Sequence, residues 1–512
     1  MSDETQGTLN TLVKGAGMTA AGIFASKFLA YLYRTVVARM AGKEAYGQLS
    51  LGIAVIGMAT TITFMSLDQG IEKFVSEYRM EGDKGKIRGV VISSLFISLL
   101  MSLVVSAGLY LSADFIAAQI FQSQGLAPLL KVFAFVPPFA AVSKVFISVA
   151  VGFKDVKYEV ISERVAKNVI QVAATFGLLA TGLSVIGAVY GWLISSIVTA
   201  MITVFLVEKY VFPILRPKFE AKYNFSELIK FSFPLFLTGM IGTLLGWADT
   251  FFLGYYMGDA EVGLYNAALP IAMMLQIPFR SFNSLSLPSM NEIKDSTEDT
   301  SRTLKTLTRW TIISTIPLFA LLFLFAKPSI ALLFGREYVS ASGVLVILSA
   351  GYFFSVSTGH LGAVIKSESR NEFILFNTVA NFFLNIALNI LLIPRYGITG
   401  AAIATAGSIF FVNSLMLLET YHIKKVQPFS RRQLKPIVAV VPSILAVYLV
   451  LNRLFTTVPV WALVPGFAAF GVLYLVLFLA MGLEKEDREM IKAVGDKFGY
   501  REEVEKVLEK VP

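Results

Sequence analysis

Lys27, Tyr31 and Arg34 recur at i, i+4 and i+7 inside an otherwise apolar stretch, a spacing that sets all three on one face of a helix. A lysine and an arginine so placed can grip phosphate oxygens, the guanidinium as a planar fork of donors and the ammonium as a point charge. Lys144, Arg164, Lys167 and Arg280 are further bases in apolar surroundings, and Asp249 is an acid in the same setting. A charge at the centre of a bilayer costs about 2.5–3.5 kcal/mol on insertion scales, so each is expected to face a cavity or a partner. Lys27, Arg34 and Arg280 are read as lining one cationic cavity, with Tyr31 beside them, suited to a diphosphate or an acidic sugar. Lys144 either joins that cavity or reaches the headgroups. Arg164 and Lys167 lie close to the end of their stretch, where long side chains snorkel; for them, too, both readings stand.

Asn377, Asn381, Asn385 and Asn389 fall four apart and so share one slowly drifting helix face. Four amides on a stripe need partners away from lipid. They either bond across to neighbouring helices, at about 0.6–2 kcal/mol each, or offer oxygens to a hard cation. Nothing points to catalysis. The chain has 0 Cys and 2 His, namely His360 and His422, which leaves no thiol nucleophile, Cys-metal site or triad. No phosphate-binding G-x-x-x-x-G-K-[ST] loop occurs. Gly15-Ala16-Gly17 begins a dinucleotide motif but sits in an apolar helix, and the sequon Asn224-Phe225-Ser226 falls in a connection expected to be cytoplasmic. The chain is read as no enzyme and as holding no cofactor, with a sodium ion or proton as the candidate coupling ion.

The elements that must position these residues are membrane helices. Hydrophobic residues make up 55% of the 512 and charged ones 15%. Apolar stretches of membrane-spanning length occur about fourteen times, each near the roughly 20 residues that a 30 Å bilayer core demands. They fall at 11–38, 45–67, 88–111, 126–152, 158–182, 185–207, 229–253, 262–287, 308–327, 338–365, 371–393, 397–421, 433–453 and 459–482. The expected fold is an all-α integral membrane protein. Met1 to Asn10 is polar and lacks a basic start, so the first span is expected to stay as an anchor.

Basic residues set the orientation. The odd-numbered connections hold Arg39, Lys43, Lys327, Arg336, Arg395 and Arg453 alone, whereas one even-numbered connection carries Lys73, Arg79, Lys84, Lys86 and Arg88. The positive-inside rule then puts the even connections and both termini in the cytoplasm of a multi-pass protein of the cell membrane. The net charge of +9 belongs to this asymmetry and to anionic lipid, not to nucleic acid. Beyond Gly482 the chain turns polar, with Met490, Ile491, Val494 and Phe498 as the apolar stripe of an expected amphipathic tail.

The two halves resemble each other. Gly42-Lys43-Glu44-Ala45-Tyr46-Gly47 matches Gly258-Asp259-Ala260-Glu261-Val262-Gly263, Asp155 to Ile161 matches Glu368 to Ile374, Asn168 matches Asn381, and Gly187-Ala188 matches Gly400-Ala401, all at nearly one separation. Six spans lie between the copies. An even number makes the repeats parallel, as in transporters whose halves rock about a central site. The organisation read from this is a first lobe at 1–208, a linker at 209–228, a second lobe at 229–421, two further helices at 433–482 and a tail at 483–512. Pro137, Pro138, Pro234, Pro270 and Pro278 permit bends within the spans.

With Asp68-Gln69-Gly70-Ile71-Glu72-Lys73-Phe74 and Glu77-Tyr78 at the end of the second span, the chain resembles the polysaccharide-transport family of the multidrug/oligosaccharidyl-lipid/polysaccharide exporter superfamily. Asn385-Ile386-Ala387-Leu388-Asn389, Leu392-Ile393-Pro394-Arg395-Tyr396-Gly397 and Gly400-Ala401-Ala402-Ile403-Ala404-Thr405 carry the likeness further. The resemblance implies two six-helix lobes in a V around a central cavity, and movement of lipid-linked sugars without ATP. Likeness to the related lipid II flippases implies a cation site at Asp249, Asn385, Asn389 and Thr405, although the eleventh span brings no carboxylate to it. The expected function is a flippase that carries a polyprenyl-phosphate- or diphosphate-linked oligosaccharide from the cytoplasmic to the outer leaflet by alternating access, acting as a monomer. The rival reading is a cation-coupled exporter of organic cations, whose cavity should be lined by carboxylates rather than bases. A membrane glycosyltransferase would need acidic catalytic residues and a large external loop.

Overall fold

The computed structural model describes residues 3–215, 220–455, 460–484, 486–488 and 492. Every regular element among them is a helix, the open-chain way to satisfy backbone groups in lipid. Ten helical runs are long and apolar enough to cross a bilayer, or up to 11 if the bent pair Asp259–Met273 and Gln276–Glu292 forms one span. The chain is a multi-pass, all-α membrane protein. It divides into two compact units, 1–266 and 267–512.

In the first unit lie α1 (Asp3–Phe64), α2 (Leu67–Glu81), α3 (Lys84–Phe115), α4 (Leu126–Phe133), α5 (Val136–Gly152), α6 (Lys157–Glu159), α7 (Lys167–Ala180), α8 (Val185–Tyr210), α9 (Phe225–Tyr256) and the start of α10 (Asp259–Met273). Straight, the 62 residues of α1 would reach about 93 Å at 1.5 Å per residue, three bilayer cores. It bends at Gly42, whose φ of 83° only glycine adopts freely, and so holds the first two expected spans. Met65 and Ser66 then take left-handed angles that side-chain-bearing residues rarely adopt, and α2 starts afresh. Pro137 and Pro138 fall in the first turn of α5, splitting the expected span 126–152 in two. Val160–Ala166, joining α6 to α7, is wound as a π-helix and interrupts the expected span 158–182.

The first core packs Leu67, Ile71, Phe74 and Val75 of α2 against Val90 of α3 and Phe146 of α5. Small residues let backbones approach, as is common between membrane helices. A Cβ on Gly191 of α8 would fall 2.3 Å from Thr175 Oγ1 on α7. The repeated glycine motifs meet each other reciprocally. A Cβ on Gly47 would lie 1.7 Å from the carbonyl oxygen of Asp259, and one on Gly263 would lie 2.1 Å from the carbonyl oxygen of Lys43. Lys43 and Asp259 hold the same place in the matched motifs, as do Gly47 and Gly263, so the contact is reciprocal.

The second unit continues α10 and adds α11 (Gln276–Glu292), α12 (Thr297–Leu324), α13 (Ala326–Leu333), α14 (Ser342–Thr358), α15 (Leu361–Ser367), α16 (Asn371–Lys424), α17 (Leu434–Leu454) and α18 (Val460–Ala480). The 54-residue α16 bends at Gly397 (φ 56°), so the eleventh and twelfth expected spans are its two limbs. Gly400 lies against the turn: a Cβ there would come 2.3 Å from the Leu392 carbonyl oxygen. Val440 and Ile444 of α17 and Phe470 and Tyr474 of α18 pack on Ile312 and Ile316 of α12.

After α18 the chain is clamped by charge. Asp487 accepts from Arg309 at 2.7 Å and from Trp310 Nε1 at 2.9 Å, and Glu484 accepts from Lys435 at 3.0 Å. The hydrogen bond from Lys435 holds the Glu484 carboxyl below its usual range. The expected stripe of Met490, Ile491, Val494 and Phe498 lies outside the described residues.

Candidate functional site

In the first unit the face read from the sequence lies on the limb of α1 that precedes the Gly42 bend. Lys27 is exposed, and Tyr31 and Arg34 are half-buried. Arg34 Nη1 donates to the hydroxyl of Tyr46 at 3.3 Å, and Tyr46, fully buried, donates onward to the Asn266 carbonyl at 3.2 Å. The guanidinium is thereby fixed on the far side of the Gly42 bend by a residue of the repeat motif. Tyr33, one position from the face, donates to the Ala188 carbonyl at 3.4 Å and ties α1 to α8.

Lys144 pairs with Asp68 at 3.0 Å, linking α5 to the family motif at the start of α2. Glu163 accepts from Ser143 at 2.8 Å and from Lys167 at 2.9 Å. Arg164 pairs with Glu159 at 2.6 Å. Residues five apart point well away from each other on an α-helix; the π-winding, with its i to i+5 hydrogen bonds, brings Glu159 and Arg164 together. Arg164 and Lys167 are thus held by neighbouring carboxylates on their own helix. Sequence reasoning named these bases but not the acids that meet them. The Glu163 to Lys167 spacing of four was a readable signal. The pairing of Lys144 with Asp68 had none, because it joins distant segments.

Asp249 is buried on α9 and accepts from the hydroxyl of Tyr265. Beside it Asn266 donates to Thr250 at 3.2 Å. Asp259, at the start of α10, accepts from Gln48 at 2.9 Å and Ser123 at 2.6 Å. The described cavity of about 830 Å³ lies between α5 and α8, lined by Phe139, Ile197, Met201 and Phe205 with Glu208 and Lys209 at one end. None of the residues singled out in the sequence lines it.

In the second unit, Arg280 is exposed on the second turn of α11 and donates to Gln276 at 3.3 Å. Three of the four residues of the implied cation site converge here. Asn389 donates to Asn385 Oδ1 at 3.1 Å, and Asn385 Nδ2 stands 3.5 Å from Thr405 Oγ1 and 3.4 Å from Ser408 Oγ. The fourth, Asp249, belongs to the first unit. A carboxylate does meet the asparagine stripe, but from the other limb of α16: Asn377 Nδ2 donates to Glu419 at 2.7 Å. Glu419 lies five residues before the end of α16, next to the polar run His422, Lys424 and Lys425, where a charged residue reads as loop. His360 is buried with both ring nitrogens bonded, to Ser286 at 2.6 Å and Thr311 at 2.8 Å.

Comparison with known proteins gives a consistent picture. The family model described as polysaccharide biosynthesis protein matches residues 12–294. The model described as lipid II flippase MurJ matches residues 164–473. A protein of Haloferax volcanii named probable low-salt glycan biosynthesis flippase Agl15 is 25% identical, over 76% of this chain and 79% of its own length. Stage V sporulation protein B of Bacillus subtilis is 24% identical, over 93% of this chain and 96% of its own. The solved lipid II flippase MurJ in an inward closed conformation matches with a TM-score of 0.70 at 16% identity, covering 91% of this chain and 98% of that one. At that identity the likeness is one of fold.

Proposed function

This chain belongs to the polysaccharide biosynthesis protein family, and we propose that it is a flippase carrying a polyprenyl-phosphate- or diphosphate-linked oligosaccharide from the cytoplasmic to the outer leaflet of the cell membrane. The observation that carries the reading is the basic face of α1, on which Lys27 is exposed and Arg34 is steadied by Tyr46. Bases on a membrane helix, set for phosphate oxygens, favour an anionic headgroup over an organic cation. The glycan flippase among the relatives and the lipid II flippase family model support the substrate class. In this reading no bond is made or broken. The protein lowers the barrier for a polar headgroup by offering it cationic partners while the tail stays in lipid. Lys27, Tyr31, Arg34, Lys144 and Arg280 are its headgroup ligands, and both termini are cytoplasmic. A cation at Asp249, Asn385, Asn389 and Thr405, a proton, or the membrane potential acting on the anion drives the cycle.

The test is a reconstituted flipping assay with a fluorescent polyprenyl-diphosphate disaccharide, its outer-leaflet pool read by an impermeant quencher. Lys27→Ala and Arg280→Ala should each slow flipping by about 10–100-fold, the loss of one hydrogen bond to a charged group at about 1.5–3 kcal/mol. Elution profile and thermal unfolding should stay those of the parent. Unchanged flipping in both variants would count against the headgroup role.

A further inference from the structure

The asparagine stripe of α16 has two ends with different neighbours, hydroxyls at one and a carboxylate at the other. Toward Gly397, Asn389 donates to Asn385, and Asn385 faces the hydroxyls of Thr405 and Ser408. Toward Asn371 the stripe meets a carboxylate. Asn377 Nδ2 donates to Glu419 Oε2 at 2.7 Å, and both residues are buried, 3% and 9% exposed. Asn377 Oδ1 and Asn381 Oδ1 are sealed from solvent and accept no hydrogen bond, and neither does Thr420 Oγ1 on the residue after Glu419. The bases around this end are engaged or turned outward. Lys424 is held by Glu368 at 3.1 Å and by the Lys294 carbonyl. Lys425 lies over the Tyr421 ring, and Lys366 and His422 are exposed.

A carboxylate this buried, with no basic partner among the described residues, calls for neutralisation, since burying a charge alone is costly. A proton would neutralise it but would satisfy only one of the waiting acceptors. A carboxylate and bare amide oxygens along one stripe, met by a single N–H donor, make an acceptor-rich set, which is what a hard cation takes. We propose that Glu419, Asn377 and Asn381, with Thr420 beside them, bind a monovalent hard cation of sodium's class between the two limbs of α16. The site lies about 12 Å from Asn389, eight residues along from Asn381 at 1.5 Å each, and is separate from the Asn385–Thr405 cluster. The limbs join at Gly397, so a cation at their other end fixes how far they splay. It therefore shifts the protein toward whichever state holds the limbs at that separation. Its part in a transport cycle rests on the flippase reading; its occupancy does not.

The experiment measures thermal unfolding of the full chain in lipid nanodiscs as choline chloride is replaced by sodium chloride at constant ionic strength. The melting temperature should rise saturably by several degrees, because a ligand of the folded state stabilises it. Glu419→Gln and Asn377→Ala should raise the half-saturating sodium concentration about tenfold or more, since ligand charge and number set the affinity. Asn371→Ala, at the exposed start of α16, should leave it unchanged. Binding of radiolabelled sodium to the same proteins gives a second reading, and Asn381→Ser serves where a larger change costs folding. A melting temperature that ignores sodium but rises as pH falls, with that response lost in Glu419→Gln, overturns the proposal in favour of a proton. A sodium response lost in Asn385→Ala and kept in Glu419→Gln overturns it in favour of the other end of the stripe. Sodium stabilisation that Glu419→Gln removes supports the site even where the lipid probe is not flipped, so the two readings fail separately.

Discussion

Lys144 and Asp68 stand 3.0 Å apart with side chains 39% and 19% exposed, which makes them a partly screened pair rather than a sealed one. Removing one member of a fully buried pair costs 3–5 kcal/mol because the other charge is stranded, while exposed pairs are worth 0–1 kcal/mol. Asp68→Asn should therefore destabilise the protein by about 1–2 kcal/mol. The double variant Asp68→Asn, Lys144→Met should recover most of that loss, because no charge is then left alone. A double-mutant cycle on thermal unfolding checks this, and strictly additive losses would show that the two groups do not depend on each other. At this scale the sequence told half the story. Each base in an apolar stretch was legible, because charge in such a context needs a reason. The partners were legible only where they lie on the same helix, as Glu163 does for Lys167. Asp68 for Lys144 and Glu419 for Asn377 come from other segments, and nothing local marks them.

Among the elements, glycine decides where long helices bend and how closely they cross. Gly42 falls between two expected spans and Gly397 opens one; both prove to be single-residue bends within helices that otherwise continue, Gly397 three residues beyond Pro394. Hydropathy reports where a span starts and stops but not whether the helix unwinds between spans, so it separates segments that the backbone joins. The same blindness hides the π-turn at Val160–Ala166, since an inserted residue leaves composition unchanged. The matched glycine motifs were legible, and their glycines have a physical reason: Gly47 and Gly263 each meet a carbonyl oxygen, which cannot yield as a flexible side chain would. Gly47→Ala should push the two segments apart and destabilise the protein by about 1–3 kcal/mol, the usual range for overpacking. Gly108→Ala, exposed on α3 with open space around it, should be neutral or stabilise by up to about 1 kcal/mol through helix propensity. Equal melting temperatures for the two variants would remove the close crossing as the reason for the repeated glycine.

For the molecule as a whole, composition alone announced a membrane protein, because 55% hydrophobic residues in runs of bilayer length have no other stable home. Orientation rests on where the bases lie, and it can be tested directly because the chain has 0 Cys and so no background. Glu44 and Tyr396 are exposed in the connections after the first and eleventh expected spans, one in each unit. Lys84 and Asp295 are exposed in connections expected on the other side. Asp259 shares the expected side of Glu44, but it is half-buried beneath Gln48 and Ser123 and would report accessibility poorly. Single cysteines at Glu44 and Tyr396 should react with an impermeant thiol reagent added to intact cells, while those at Lys84 and Asp295 should react only after the membrane is opened. The reverse pattern would invert the whole protein and put its basic connections outside. The most telling comparison is between Glu44 and Tyr396 themselves. Labelling of both from one side requires an even number of crossings between them, which is what a parallel repeat needs. Labelling from opposite sides requires an odd number, which the expected order of spans does not allow.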